Sequence, residues 1–407
     1  MSDVTHTITR LGHLGDGIAD GPIFAARTLP GEVVRGDVDG DRIETPKIVT
    51  PSSDRVKPAC PHYNACGGCS LMHASDDFVA GWKTEIVRTA LNSHGLETDF
   101  RPIHTSPARS RRRAVLSARR GKKAPIVGFH GRRSGTITEI SDCHLIHPEI
   151  LQALPALGEL TVIGGSRKGE LSINATVSDV GLDVSVTGGK PLDRALESQL
   201  GQAVHRFGFA RLSWEGEVIA METPPAQSFG PAAVTPPPGA FLQATREGEA
   251  ALLAAVRDAV GDADHIVDLF AGCGTFALPL AENAVVHAVE GEGSMLKALD
   301  AGWRHAQGLH KVTTETRDLF RNPLYAEDLT RFDAAVIDPP RAGAEAQIEQ
   351  IAASDLSVVA MVSCNAISFA RDAKILLDAG FEMEWIQVVD QFRWSTHTEQ
   401  VASFRRK

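Results

Sequence analysis

From His265 onward, apolar strand-like runs (HIVDLF, AVVHAVE, KVTTET, FDAAVID, SVVAMVS) alternate with helix-like runs (TFALPLAEN, SMLKALDAGWRHA, EAQIEQIAA, SFARDAKILLDAG). Strands covered on both faces read as unbroken apolar runs, and parallel neighbours need a crossover between them. The alternation therefore predicts a parallel sheet with helices on both faces in the last part of the chain. The final runs, EMEWIQVVD and EQVASFRR, have no helix between them and predict that the sheet ends in an antiparallel pair.

Upstream the pattern changes. From Val4 to about Val56, short alternating segments (VTHTITRLG, PIFAARTL, EVVRGDV, RIETPKIV) are punctuated by Gly-Asp-Gly, Leu-Pro-Gly and Asp-Gly-Asp turns. That spacing predicts a small closed β-barrel, which either grips single-stranded nucleic acid or is plain structure. A cysteine-rich knot follows, then a predicted helix from about Ser75 to His94, then mixed strands and helices to about Gly230. The proline-rich segment METPPAQSFGPAAVTPPPGAF reads as a linker or long ordered loop. The expected units are 1–57, 58–233 and 234–407, and 407 residues with 43% hydrophobic content suffice for two or three cores.

The opening residues lack the basic start and apolar run of a secretory signal, and no stretch approaches the ~20 apolar residues that span a bilayer. A cytoplasmic chain without membrane contact is expected, and no obligate protein partner is evident. The formal charge of -10 excludes a uniformly basic nucleic-acid binder. Basic residues nevertheless cluster: Arg109, Arg111, Arg112, Arg113, Arg119, Arg120, Lys122, Lys123, Arg132 and Arg133 lie in an interval without Asp or Glu. Such a run is either a phosphate-binding face or a solvated charge run, and the missing carboxylates favour phosphate.

The segment Asp268-Leu-Phe-Ala-Gly-Cys-Gly-Thr275 sits where the first strand turns into a helix, and its glycines let backbone amides approach a ligand. Glu290 ends the second strand, about 20 residues on, where a carboxylate meets ribose hydroxyls. The short Ala-Gly-Cys-Gly turn differs from the dinucleotide fingerprint, so a methyl donor fits better than a nicotinamide cofactor. Asp318, after the third strand, either meets an adenine amino group or caps a helix.

Asp338-Pro-Pro-Arg341 ends the fourth strand and Ser363-Cys364-Asn365 the fifth, at the edge where open α/β sheets bind ligands. An aromatic after Asp-Pro-Pro would suit methylation of an exocyclic amine, but Arg341 stands there. Carbon 5 of uracil is a poor nucleophile, so methylating it requires a thiolate to add at carbon 6; Cys364 is the candidate, against a reading as a buried small hydrophobe. A base must then remove the proton on carbon 5, and Glu399 is the candidate, against an exposed strand residue. The target base would have to be flipped out of its stack. A non-catalytic RNA-binding protein and an amine methyltransferase are the rival readings; the first would have no reason to bind a methyl donor and the second would not need Cys364.

Cys60, Cys66 and Cys69 are clustered as C-x5-C-x2-C, and Cys143 stands apart. In a reducing compartment these thiols close a tetrahedral zinc site or hold a cubane cluster, with His62, His144 and His147 as non-ligands.

Together these motifs resemble the bacterial RNA uridine carbon-5 methyltransferases, particularly the iron-sulfur members acting on 23S ribosomal RNA. The resemblance runs from GHLGDGIA through CxxxxxCGGC and Cys143 to FLQ, DLFAGCGTF, DPPRAG, SCN and HTE. It implies a Rossmann-like class I methyltransferase domain preceded by an OB/TRAM-like β-barrel and a central mixed α/β domain. It also implies a four-iron four-sulfur cluster on Cys60, Cys66, Cys69 and Cys143, with zinc as the fallback. S-adenosylmethionine would be contacted by Gln243, Phe270, Thr275, Glu290, Asp318 and Asp338, with Cys364 as nucleophile and Glu399 as base. RNA is the implied partner, transfer RNA being the alternative to ribosomal. The sequence departs from the family at Thr245, where Asn is usual two places after the Gln of FxQ, and in its shortened motif around Glu399.

Overall fold

The computed structural model describes residues 4–406. Among them, the first strands, Thr5–Leu11, Gly17–Ala19, Ile23–Ala25, Val33–Arg35, Arg42–Ile43 and Lys47–Thr50, form one six-stranded sheet around a small core of Ile8, Ala19, Ala25, Val34 and Ile43. Arg42–Ile43 and Lys47–Thr50 are the two ends of the strand order, and among the described residues no ladder joins them. Arg42–Ile43 is only two residues long, and Pro46 lacks the N–H that would extend a ladder toward the last strand.

The middle of the chain builds a seven-stranded sheet in the order Ile137–Glu139, Pro125–His130, Arg113–Arg120, Leu171–Ser178, Gly181–Thr187, Arg211–Trp214, Glu217–Met221. Helices Leu154–Gly164 and Arg194–Phe207 pack on it through Leu157, Leu160, Leu200 and Val204.

The C-terminal sheet has eight strands, ordered Val312–Thr316, Val285–Glu290, His265–Leu269, Ala334–Ile337, Val358–Ser363, Gln400–Arg406, Phe381–Asp390, Phe100–Thr105. The first five are parallel, and Gln400–Arg406 runs antiparallel between its neighbours, as the missing helix predicts. Alternate side chains feed two cores: Ile266, Val286, Val336 and Ala360 face helix Arg246–Val260, while Val267, Val289, Ile337 and Val359 face helices Glu345–Ala353 and Ala366–Asp378.

Two segments depart from the expected units. Helix Asp76–Asn92, capped by Ser75 Oγ on the Phe78 N–H (3.2 Å), buries Val87 and Leu91 in the second of those cores. Strand Phe100–Thr105 pairs in parallel with Phe381–Asp390. Both therefore belong with the C-terminal sheet, because their apolar residues find their partners there rather than in the middle block. The proline-rich segment is also no plain linker: it holds the hairpin Gln227–Phe229/Ala232–Val234, whose Phe229, Ala232 and Val234 are core residues.

Candidate active site

The glycine turn follows strand His265–Leu269 and is shaped by backbone that few side chains tolerate. Phe270 has φ 63° and Gly274 φ 92°, and a Cβ on Gly274 would lie 2.8 Å from Leu299 Cγ. Glu290, ending the next strand, accepts from the N–H groups of Gly272 (3.0 Å) and Glu292 (2.9 Å), so the turn and the carboxylate form one unit. Asp318 does two things at once: Oδ1 accepts from the Phe320 N–H (3.1 Å) as in a turn, and the residue lines the cavity beside the Phe270–Phe320 ring pair (5.3 Å).

On the other side of the topological switch, Asp338 follows Ile337 and Cys364 follows Ser363. Ser363 pairs with Gln400 in the antiparallel ladder. The residues one step beyond, Cys364 and Glu399, therefore stand across from each other at the same end of the two strands. Gln243 comes from the segment before helix Arg246–Val260, and its Nε2 donates to Asp338 Oδ2 (3.1 Å). All eight residues expected at the site, Cys364, Glu399, Gln243, Phe270, Thr275, Glu290, Asp318 and Asp338, line a single cavity of about 830 Å³.

Acidic groups crowd its floor. Burial raises Asp338 to about 7, with the Gln243 hydrogen bond opposing. Burial and then the charge of Asp338 raise Glu399 well above the usual carboxylate range, while the bond from Gln391 opposes. The Cys364 thiol is pushed up to about 11 by burial, then by Glu399 and Asp338; Arg341 pulls it down. Asn365 holds that arginine's backbone, its Nδ2 donating to Arg341 O (2.9 Å).

Motif reading missed several residues here. Arg111, Phe392 and His397 line the cavity, and the Phe392 and His397 rings meet edge-on at 5.7 Å. Arg111 stands within the basic run, and nothing in its spacing separates it from its neighbours. Thr245 lies outside the cavity lining: its Oγ1 caps helix Arg246–Val260 at the Gly248 N–H (3.0 Å) and bonds Ser106 Oγ (2.7 Å).

The basic run is not one phosphate-binding face. Arg112 is buried, donating to Gln243 O (3.1 Å) and pairing with Glu249. Arg109 pairs with Asp142 (2.7 Å), Arg119 with Glu170 (2.7 Å), and Arg132 and Arg133 with Asp16. The carboxylates absent from the interval are supplied from elsewhere in the fold. Lys122 and Lys123 stay exposed in the turn after Arg113–Arg120.

Cys60, Cys66, Cys69 and Cys143 line one separate cavity with Met72, Phe129, Ile140 and Leu145. All four thiols are free. Cys66 Sγ accepts from the Gly68 N–H (3.3 Å) and Cys143 Sγ from the Leu145 N–H (3.5 Å). Burial, followed by neighbouring thiols among other influences, raises Cys66, Cys69 and Cys143. Among the described residues no three His, Cys, Asp or Glu side chains are grouped so as to hold one metal ion. His62 and His144 line this cavity too, with His62 Nε2 accepting from the Ser141 N–H (3.0 Å), while His147 caps helix Pro148–Gln152.

A doubly wound sheet with a glycine turn, a carboxylate on the second strand and a cavity at the switch point defines an α/β enzyme class that binds a nucleoside-bearing ligand. No family model matches the chain. A Brucella suis chain named an uncharacterized RNA methyltransferase is 42% identical over 399 residues, covering 97% of this chain and 96% of its own. The 23S rRNA (uracil(1939)-C(5))-methyltransferase RlmD of Vibrio cholerae is 30% identical over 436 residues, covering 98% of this chain and 95% of its own. The crystal structure of a Pyrococcus abyssi tRNA (uracil-54, C5)-methyltransferase with S-adenosyl-L-homocysteine shares the fold, with TM-score 0.79 at 21% identity, covering 99% of this chain and 100% of that one. The chain belongs to the RNA methyltransferase family that the Brucella and Vibrio proteins represent. No helix among its described residues is long and apolar enough to cross a membrane.

Proposed function

We propose that this enzyme transfers a methyl group from S-adenosylmethionine to carbon 5 of a uridine in RNA through a transient bond from Cys364 to carbon 6. The observation that carries the reading is the ladder register that sets Cys364 opposite Glu399 in the cavity of the glycine turn. The Cys364 thiolate adds to carbon 6, and the electron pair displaced from the ring double bond makes carbon 5 nucleophilic. The donor supplies an electrophilic methyl group, and Glu290, Phe270, Thr275, Asp318, Gln243 and Asp338 are the residues assigned to hold it. Glu399 then takes the proton from carbon 5, the double bond reforms, and the sulfur leaves as thiolate.

The 23S ribosomal substrate is supported by the name of the Vibrio relative, and transfer RNA by that of the Pyrococcus structure. The N-terminal sheet is assigned as a TRAM-like unit that holds RNA. A four-iron four-sulfur cluster is assigned to Cys60, Cys66, Cys69 and Cys143. Four free thiols around one apolar cavity, two of them with backbone N–H donors to sulfur, support that reading, with zinc as the fallback. A bound cluster would cross-link the loop 60–69 to Cys143; no thiol of the quartet lines the catalytic cavity.

The test is to supply labelled donor with unmodified ribosomal and transfer RNA separately and to identify the methylated nucleoside after digestion. Carbon-5 methyluridine from ribosomal RNA, absent with Cys364→Ala, is the expected result. The same product from transfer RNA alone would change the substrate, and a methylated amine would overturn the mechanism.

A further inference from the structure

Gln391 is the first residue after strand Phe381–Asp390, and neither motif nor spacing marks it. It is 1% exposed, and every polar atom of its side chain is engaged. Nε2 donates to Gln243 Oε1 (2.6 Å) and to Glu399 Oε2 (2.9 Å), and Oε1 accepts from the Ala244 N–H (2.7 Å). The packing around it leaves no slack. A Cβ on Gly248, in the first turn of helix Arg246–Val260, would lie 2.7 Å from Gln391 Cβ, so glycine there makes room for it. On the preceding residue, Asp390 Oδ1 is held by Lys83 Nζ (2.6 Å).

One backbone group therefore fixes two amides. The Ala244 N–H can only donate, so Gln391 must present its oxygen there and its nitrogen to Glu399 and Gln243. Gln243 must in turn give its oxygen to Gln391, which aims its N–H groups at Asp338 and the cavity. On the other branch, the donated bond stabilises Glu399 as a carboxylate against burial and Asp338, and it occupies Oε2, leaving Oε1 to accept a proton.

We infer that Gln391 is a positioning residue for proton removal from carbon 5, acting through Glu399, while it also sets which atom Gln243 presents to the cavity. The inference rests on the methylation reading above. It predicts that, with the donor saturating, addition and methyl transfer survive loss of Gln391, donor affinity alone weakening through Gln243, while the step after methyl transfer does not.

The experiment compares wild type, Gln391→Met and Gln391→Glu on one substrate RNA made with uridine or with 5-fluorouridine. Covalent RNA–protein adduct is read on denaturing gels, and turnover by methyl incorporation. A fluorine on carbon 5 cannot leave to a base as a proton does, so the fluorinated RNA traps the adduct once Cys364 has added and the methyl has moved. With S-adenosylmethionine saturating, both variants are expected to trap fluorinated RNA to the wild-type extent. On uridine RNA their turnover should fall by roughly 10- to 100-fold, a part of what general base catalysis contributes, and methylated adduct should accumulate. Gln391→Glu keeps the side-chain length and the bond to the Ala244 N–H, which guards against a folding defect in the Met variant.

Equal loss of trapping and turnover in both variants would reduce Gln391 to a structural residue and overturn the inference. Unchanged turnover without accumulated adduct would overturn it as well. A wild-type enzyme that traps no fluorinated RNA would instead refute the underlying methylation reading, whatever the variants do.

Discussion

Cys364 sits where a thiol is hard to ionise: burial, Glu399 and Asp338 raise it to about 11, and Arg341 opposes them. The thiolate is the attacking form, so acid removes the nucleophile and the rate of adduct formation should climb with pH from neutrality toward that value. Adduct formation on fluorinated RNA, followed from about pH 6 to 9, should show no plateau; a flat profile would mean that the thiol ionises more readily in the complex. Arg341→Gln should slow the reaction at neutral pH and move the rise to higher pH, because the cation that favours the thiolate is gone. At this scale the motifs delivered eight of the cavity's residues, most of them at or just beyond a strand end where chain position dictates placement, while Gln243 in the segment before a helix came from the family resemblance. They could not deliver Gln391 or Arg111. Whether an amide meets another amide, or an arginine faces a cavity rather than a carboxylate, depends on segments far apart in sequence.

Among the elements, helix Asp76–Asn92 supports the site without entering it. Lys83, fully buried on that helix, pairs with the buried Asp390 and donates to Phe392 O (3.1 Å), fixing the start of the loop that carries Gln391, Phe392 and His397. Lys83→Met would leave Asp390 buried without its cation and should cost about 3–5 kcal/mol, read as a lower denaturant midpoint at unchanged slope. A shift below about 1 kcal/mol would mean that water enters and solvates the carboxylate. The helix itself was legible from its Ser75 cap and apolar spacing. Its allegiance was not, because an amphipathic face says that something covers it but not which sheet. The N-terminal strands were legible in the same limited way: alternation gave them away, while the open ladder depended on a two-residue strand and a proline.

For the molecule as a whole, the cysteine quartet gathers thiols of the loop 60–69 and of Cys143 around one cavity, and Gly67 N bonds His130 O (2.9 Å) nearby, so the proposed cluster would tie that loop to the middle block. Protein purified without oxygen should carry about four irons per chain, and Cys143→Ser should lose them and melt at a lower temperature. A wild-type chain without iron, or an unchanged melting point, would leave four thiols that merely pack.

The edge strand Phe100–Thr105 sets a timetable for synthesis. Gln387 Nε2 reaches Pro102 O across 285 positions, so the strand has no ladder partner until Phe381–Asp390 has been made. At ~5–20 residues per second that delay is on the order of tens of seconds. Helix Asp76–Asn92 shares that dependence, because Val87 and Leu91 pack in a core built largely by residues of the C-terminal sheet and its helices. Because Glu399 directly precedes Gln400–Arg406, which pairs between two earlier strands, a message cut short before that strand should yield a chain that has its glycine turn and its thiol but no closed site.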